Sequence, residues 1–207
     1  MYSANGSNDS LNIQLYVDAD WAGDRDNRVS TTGFVFLMAG GVVIWESKKE
    51  KYIAHSTAEA EYLAYGKATL TAAWVRKLAK ELNIYNIDPI TIQYDNQAAG
   101  IWVKDHLDWE KTRHIDIKYH YIQDEYIAGR IRMEYLSTEN MIADILTKPV
   151  NATILEKHRE RMGMIDVRRR VGVLLQDRLE VANKGLNTSE KEKNKQKSMI
   201  GYKEQKN

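Results

Sequence analysis

The sequence predicts an α/β protein built on a mixed five-stranded sheet, with three antiparallel strands, then two parallel strands, and helices on both faces. Two observations predict this class. The first 50 residues contain apolar runs with the two-residue period of strands, two of which flank Gly40-Gly41. Beyond Ser56, segments with a helical period alternate with two short apolar runs, and strands separated by long helices pair in parallel through right-handed crossovers.

Each predicted strand or helix rests on a local sequence pattern. NIQLYVD (12–18) alternates and is rich in strand-forming residues, and residues 31–48 form a hairpin at the glycine pair. The segment from Ser56 to Leu82 lacks proline and is rich in helix formers, with Ala68, Ala72, Val75 and Ala79 on one face. The remaining predicted elements are a strand at 89–95, a short helix at 96–104, a helix at 113–129, a strand at 130–136, a helix at 137–149 closed by Pro149, and an amphipathic helix at 152–165.

Composition divides the chain into a polar leader (1–10), one domain (11–165) and a basic, low-complexity tail (166–207) that we expect to be disordered. Residues 151–207 carry a net charge of +6, whereas residues 1–150 carry −5. The basic tail either binds a polyanionic partner or is merely solvated.

The chain has no cysteine, which excludes disulfides, thiol chemistry and cysteine-based zinc sites. No signal peptide or membrane-spanning run is recognisable, so no membrane partner is expected.

The stretch YVDADWAGD (16–24) places a carboxylate where one is costly, because Asp18 ends an otherwise buried strand. A turn-starting role explains Asp24 and Asp26 well, since Asp favours turns. It explains Asp18 poorly, and we therefore interpret Asp18 as functional. Asp20 fits both interpretations equally.

Two glutamates begin the long helix. Glu59 completes a capping box with Ser56, which accounts for it structurally. Glu61 lies within about 40° of the alanine-rich face that packs on the sheet, from the 100° step of a helix. A carboxylate on that face needs a partner, so Glu61 is a functional candidate.

Two further aspartates are ambiguous alone. Asp95 follows the fourth strand and suits either a helix N-cap or a site at a strand end. Asp144 lies within the last predicted helix, where an exposed carboxylate would be ordinary. As a set, strand-end aspartates and a helix-start glutamate can converge at one sheet edge. Clustered carboxylates repel, and divalent Mg²⁺ or Mn²⁺ would resolve that repulsion.

Five pieces of the chain resemble the ribonuclease H domain of copia-type long-terminal-repeat retrotransposon Pol polyproteins. They occur in the family's order from about Leu11 to about Ile165 and read YVDADWAGDRDNRVSTTGFVF, IWESKKEKYIAHSTAEAEYLA, IQYDNQAA, KTRHIDIKYHYI and ENMIADILTKP. The resemblance implies an RNase H-like fold and a site of four carboxylates that binds two Mg²⁺ ions, with Mn²⁺ as a substitute. The matched motifs place Asp18, Glu61, Asp95 and Asp144 in that site.

The resemblance further implies an endoribonuclease that hydrolyses the RNA strand of RNA/DNA hybrids during reverse transcription. It implies a reverse transcriptase in the same polyprotein as a partner, and cytoplasmic retrotransposon particles as the location. We expect this chain to be a fragment of such a polyprotein. Candidate contacts to the hybrid backbone are Lys48, Lys49, Lys111, Arg113 and Lys118, although any surface lysine can simply be solvated.

Two alternatives stay open at this point. One is a catalytically silent, nucleic-acid-binding relic, or a fragment that needs its reverse transcriptase. The intact set of four carboxylates and the acidic body both weigh against a stand-alone binder, because nucleic-acid affinity comes largely from cations on phosphates. The other is a transposase or integrase of the same superfamily, which would need a late glutamate ligand and usually a His/Cys zinc module. The absence of cysteine weighs against it.

Overall fold

The computed structural model describes residues 13–24, 26–51, 53–84, 87–105 and 117–164, and residues 117–120 by their backbone alone. Its strands are β1 Ile13–Asp20, β2 Thr31–Met38, β3 Gly41–Lys49, β4 Ile90–Tyr94 and β5 Ile131–Tyr135. Its helices are α1 Thr57–Glu81, α2 Gln97–Lys104, α3 Ile117–Ile127, α4 Asp144–Thr147 and α5 Ala152–Arg161, with a 3₁₀ turn at Thr138–Asn140. The predicted leader (1–10) and the predicted tail (166–207) lie outside the described residues.

The five strands form one sheet in the order β3-β2-β1-β4-β5. β1, β2 and β3 pair antiparallel, while β1 pairs with β4, and β4 with β5, in parallel. This confirms the predicted mixed sheet of three antiparallel and two parallel strands. The order follows from connection length, because the tight turn after Met38 suits an antiparallel neighbour and α1 supplies the crossover to a parallel one.

The two faces of the sheet bury different side chains because a strand alternates its residues between faces. On one face the strands pack against α1, α2 and α3, with Leu15, Val17 and Phe36 fully buried. The predicted alanine-rich face of α1 lies in this core, where the small side chains let the helix approach the sheet. On the other face lies a smaller cluster around Tyr16, Val35, Leu37, Met141, Ile142, Ala143 and Met162.

The predicted helix at 137–149 is wrong over most of its length. The segment forms a 3₁₀ turn and then the one-turn helix α4, which begins at Asp144 and ends before Pro149. Met141, Ile142 and Ala143 are three consecutive residues that are all fully buried. Tertiary packing of this segment therefore overrides the helix propensity of its sequence.

The described helices offer no candidate for a membrane crossing, since none has both the length and the apolar character required.

Candidate functional site

The carboxyl ends of β1 and β4 bring two predicted aspartates together. The strands are parallel neighbours in which Tyr16 pairs with Gln93. Two residues further along, the same register sets Asp18 beside Asp95, on the side of the sheet that carries Tyr16. Neighbouring strands are about 4.8 Å apart, so two carboxylates in register approach each other closely.

Glu61 reaches the same place from α1. Ser56 caps this helix by accepting from the backbone N–H of Glu59 at 3.1 Å, as predicted. The Glu59 carboxylate accepts from the backbone N–H of His55 at 2.7 Å, one residue before the expected donor. Glu59 is therefore held at the helix start, whereas the Glu61 carboxylate turns to the sheet and accepts from the backbone N–H of Ala19.

Asp18, Glu61 and Asp95 each offer a carboxylate oxygen, and these three oxygens all lie within 4.8 Å of one another. Asp18 and Glu61 are buried, and Asp95 is half-buried. Glu61 Oε2 is itself buried and accepts no hydrogen bond from the described residues. A buried carboxylate oxygen without a donor is stabilised by a proton or by a cation, and a cluster of oxygen ligands alone fits Mg²⁺ or Mn²⁺. The residues present therefore fit the divalent metal that the resemblance implies.

Asp144 lies at the rim of this cluster as the first residue of α4. It is close enough to Asp18 for its charge to raise the pKa of the Asp18 carboxyl group. Its Oδ1 atom is 3.0 Å from Lys148 Nζ, in an i,i+4 ion pair. The structure thus brings Asp18, Glu61 and Asp95 together as one group and sets Asp144 beside them, paired with a lysine.

Two threonine hydroxyls hold the aspartates in place. Thr147, at the end of α4, donates to Asp18 Oδ2. Thr138, in the 3₁₀ turn, donates to Asp95 Oδ2 at 2.8 Å. Each hydroxyl occupies one oxygen of its aspartate and fixes the direction of the other. The segment between β5 and α5 therefore supplies Asp144 together with the groups that orient the two strand-end carboxylates.

Burial and mutual repulsion raise the pKa values of this cluster. The pKa of Asp18 rises to about 6, mainly because burial disfavours the charge, and the Asp144 and Asp95 carboxylates add to the rise. The Thr147 hydrogen bond and the Lys148 ammonium oppose it. The pKa of Glu61 rises well above its ordinary value, first through burial and then through Asp18 and Asp95. A divalent cation would reverse this balance by favouring the charged forms.

The N-cap interpretation of Asp95 is wrong. The residue that caps α2 is Asn96, whose side-chain oxygen accepts from the backbone N–H of Ala99 at 3.1 Å. This leaves the Asp95 carboxylate to face Asp18 and Thr138.

Asp24 behaves as predicted for a turn residue, because its side chain accepts from the backbone N–H of Asp26 at 3.0 Å.

The predicted nucleic-acid contacts do not form a described surface. Lys48 is exposed on the edge strand β3, and Lys49 pairs with Asp24 at 2.6 Å. Lys111 and Arg113 lie outside the described residues, as does the side chain of Lys118 in α3. These contacts stay predictions.

Sequence reasoning passed over Thr138, Thr147 and Lys148. A signal was present for the last two, because they follow Asp144 by three and four residues, the spacing at which side chains on a helical turn are neighbours. No local signal linked Thr138 to Asp95, which is 43 residues away along the chain.

The chain is similar to segments of much longer proteins. It is 34% identical over 158 residues to the retrovirus-related Pol polyprotein from transposon RE1 of Arabidopsis thaliana, covering 76% of this chain and 11% of that protein. It is 35% identical over 159 residues to the retrovirus-related Pol polyprotein from transposon TNT 1-94 of Nicotiana tabacum, covering 77% of this chain and 12% of that protein. The chain therefore spans about a tenth of the length of these relatives. No family model matches it.

Solved structures similar to the chain include RNase H1 from Halobacterium salinarum, at 17% identity and a TM-score of 0.45, covering 70% of this chain and 98% of that one. An N-terminal RNase H domain from Mycobacterium tuberculosis matches at 16% identity and a TM-score of 0.44, covering 73% of this chain and 98% of that one.

Proposed function

We propose that this chain, whose homologues are retrovirus-related Pol polyproteins of transposons, is a ribonuclease H domain that hydrolyses the RNA strand of RNA/DNA hybrids with divalent metal ions. One observation carries the proposal. Carboxylates from β1, α1 and β4, which are far apart in sequence, place oxygens within 4.8 Å of one another, with a buried Glu61 oxygen left without a donor. Asp144 stands beside them at the position that the resemblance assigns to the fourth ligand.

Each part of the site has a defined role in this proposal. Asp18, Glu61, Asp95 and Asp144 would hold Mg²⁺, which when bound lowers the pKa of an attacking water and stabilises the departing 3′ oxygen. Thr147 and Thr138 each donate to one oxygen of Asp18 and Asp95, and the other oxygen of each aspartate would be available to the metal. The rigid sheet edge supports these ligands, which limits the reorganisation that binding requires. The products would carry a 5′ phosphate and a 3′ hydroxyl.

The substrate and the partners follow from the same homology. The 2′-hydroxyl groups in the wide minor groove of the hybrid would distinguish RNA from DNA by shape rather than by sequence. The chain covers about a tenth of its polyprotein relatives, so a reverse transcriptase from the rest of such a polyprotein is the proposed partner, and cytoplasmic particles are the proposed location. Residues 1–150 carry a net charge of −5, which disfavours phosphate binding, so we expect the partner to supply part of the cationic contacts with the hybrid.

The first test is cleavage of a hybrid whose RNA strand carries an end label, with Mg²⁺ and the full chain. We expect the wild type to cut the RNA strand, and Asp95→Asn and Glu61→Gln each to reduce the rate on the order of 100-fold or more, because each loses a metal ligand. Glu59→Gln is the matched control, because Glu59 lies about half a helical turn from Glu61 in α1. The glutamine keeps an acceptor oxygen for the backbone N–H of His55, and this variant should cut at the wild-type rate. EDTA should abolish all cutting.

Circular dichroism must show that each variant is folded. A folded wild type that cuts no hybrid with Mg²⁺ or Mn²⁺, even when its reverse transcriptase is supplied in trans, would contradict the proposal and favour a silent relic. Equal losses in Glu59→Gln and Glu61→Gln would contradict the assignment of Glu61.

A further inference from the structure

Lys148 places a cation at the rim of the carboxylate cluster. Its Nζ atom is 3.0 Å from Asp144 Oδ1, and its side chain is 36% exposed. Burial lowers the pKa of Lys148, but Asp18, Asp144 and Asp95 together outweigh this and raise it. Since all three carboxylates act on the same ammonium group, the lysine belongs electrostatically to the whole cluster and not to Asp144 alone.

The backbone of α4 keeps Lys148 there. The residue follows directly after Thr147, and its backbone N–H donates to the backbone carbonyl of Asp144 at 3.1 Å. Asp144 and Lys148 are therefore separated by one closed helical turn, which sets their side chains side by side. The turn itself is anchored by the Thr147 hydroxyl, which donates to Asp18. The pair needs neither substrate nor a second protein in order to form.

An ordinary i,i+4 ion pair on a helix surface would have no consequence for the site, because water screens both charges. This pair differs in two respects. The Asp144 residue is only 7% exposed, and the charges of Asp18 and Asp95 also raise the pKa of the same ammonium. Interactions between partly buried charges are screened less than those at the surface, so a change of charge at Lys148 is felt by the entire cluster.

We propose that the Lys148 ammonium is the built-in counter-ion of the metal-free site and competes with the divalent cation for Asp144, so that Lys148 sets the Mg²⁺ concentration at which the site fills. The inference rests on the proposed function to the extent that the cluster binds Mg²⁺. It assigns to Lys148 a positioning role, since the residue acts through Asp144. Filling the site requires Asp144 to exchange the ammonium for the metal, and without Lys148 that competition disappears.

Calorimetric titration of the full chain with Mg²⁺, in the absence of nucleic acid, tests this directly. Lys148→Met removes the charge and keeps a chain of similar length, and we expect it to bind Mg²⁺ about tenfold more tightly than the wild type. Lys148→Arg keeps the charge and should stay within about twofold of the wild type. Lys148→Gln provides a second neutral variant, with the same tightening expected, in case Lys148→Met does not fold.

Lys80→Met is the matched control for the loss of one positive charge. Lys80 is exposed in the last turn of α1, nineteen residues beyond Glu61 and therefore about 28 Å away along the helix axis. That distance exceeds the Debye length of about 8 Å at physiological ionic strength, so Lys80→Met should leave the Mg²⁺ affinity unchanged.

The outcomes separate this inference from the proposed function. If the wild type binds Mg²⁺ and cuts hybrid while the neutral Lys148 variants bind Mg²⁺ no more tightly, the inference alone fails. If the affinities follow the expected order but no variant cuts hybrid, even with the reverse transcriptase supplied in trans, the inference stands and the proposed function fails. If neither the wild type nor the Lys148 variants bind Mg²⁺ or Mn²⁺, both fail together.

Discussion

Asp18 illustrates how a single residue can be costly for folding and still be retained. It is 2% exposed, at the end of a strand, next to Asp95 in register and Asp144 across the site. Burial raises its pKa to about 6, whereas an aspartate in an unfolded chain titrates near 3.9. The folded protein therefore holds the proton more tightly than the unfolded protein does, and the ionised side chain opposes folding at neutral pH. Thr147 offsets part of this cost through its hydrogen bond.

Asp18→Asn should stabilise the metal-free protein at pH 7. For an acid whose pKa is raised by folding, stability falls as the pH rises from the unfolded pKa to the folded one, here from about 4 to about 6, and the full penalty remains at pH 7. Asparagine has no charge and still offers Thr147 an acceptor. We expect a gain of roughly 2–3 kcal/mol in the free energy of unfolding at pH 7, and almost none near pH 4.

Thermal unfolding in EDTA at the two pH values measures this difference. Asp20→Asn serves as the control, because Asp20 lies in the same strand but outside the carboxylate group. A melting temperature of Asp18→Asn at pH 7 equal to that of the wild type, or below it, would show that the ionised carboxylate carries no folding cost.

Among the elements, α4 depends most on its neighbours. Four residues cannot form a stable helix in isolation, so α4 exists because it packs against the sheet. The contact is made at Gly33 of β2, which lies opposite Asp18 in the antiparallel register. A β-carbon at Gly33 would come within 2.6 Å of Thr147 Cγ2 and 3.0 Å of Leu146 Cβ. The glycine therefore permits the close approach that lets Thr147 reach Asp18.

Gly33→Ala should push α4 away from the sheet. We expect a loss of about 1–3 kcal/mol in unfolding free energy, as for other overpacked sites, together with weaker Mg²⁺ binding because Thr147 and Asp144 move with the helix. Adding Thr147→Ser should recover part of both losses, since serine lacks the Cγ2 methyl group but keeps the hydroxyl for Asp18.

Urea unfolding and Mg²⁺ titration of the two single variants and the double variant measure the coupling. If the two substitutions were simply additive, the clash at Thr147 would not be the cause of the loss.

At the scale of the whole molecule, we expect the stability of the fold to depend on metal binding. The cluster joins β1 and β4 of the sheet to α1 on one face and α4 on the other, so a cation bound there links elements that meet only in the folded state. In the unfolded chain, the nearest two of these carboxylates, Glu61 and Asp95, are 34 positions apart. The site is therefore a property of the native fold, and a ligand that binds only the native state stabilises it.

Mg²⁺ should raise the melting temperature of the wild type. At about 100 times its dissociation constant, binding adds about 2.7 kcal/mol, or roughly 5–10 °C for a chain of this size. Below about pH 6 the rise should shrink, because Asp18 becomes protonated and competes with the metal. Differential scanning calorimetry with Mg²⁺, and with NaCl at matched ionic strength, measures the effect. The rise should be much smaller in Glu61→Gln, and an equal rise there would place the metal elsewhere.

The sequence by itself determined the order of the elements, because strand and helix periods and the glycine turn are local patterns. It also determined that Ser56 caps α1 with Glu59 held at the helix start, while Glu61 faces the sheet, because a helix turns 100° per residue. It suggested Asp18 and Asp95 as strand-end groups, although it left an N-cap role open for Asp95 that Asn96 in fact performs. These outcomes need only neighbours along the chain.

Only the tertiary structure decided how the site is assembled. The register of β1 on β4 set Asp18 beside Asp95, and the segment that buries Met141, Ile142 and Ala143 against β1 and β2 left only α4 of the predicted last helix. That change supplied Thr138 and Thr147 as partners for the aspartates and Lys148 as the cation beside Asp144. The two threonine contacts join residues 43 and 129 positions apart, whereas Asp144 and Lys148 are one helical turn apart and meet because α4 forms. Long-range contacts depend on how the whole core packs, and no local propensity encodes that packing.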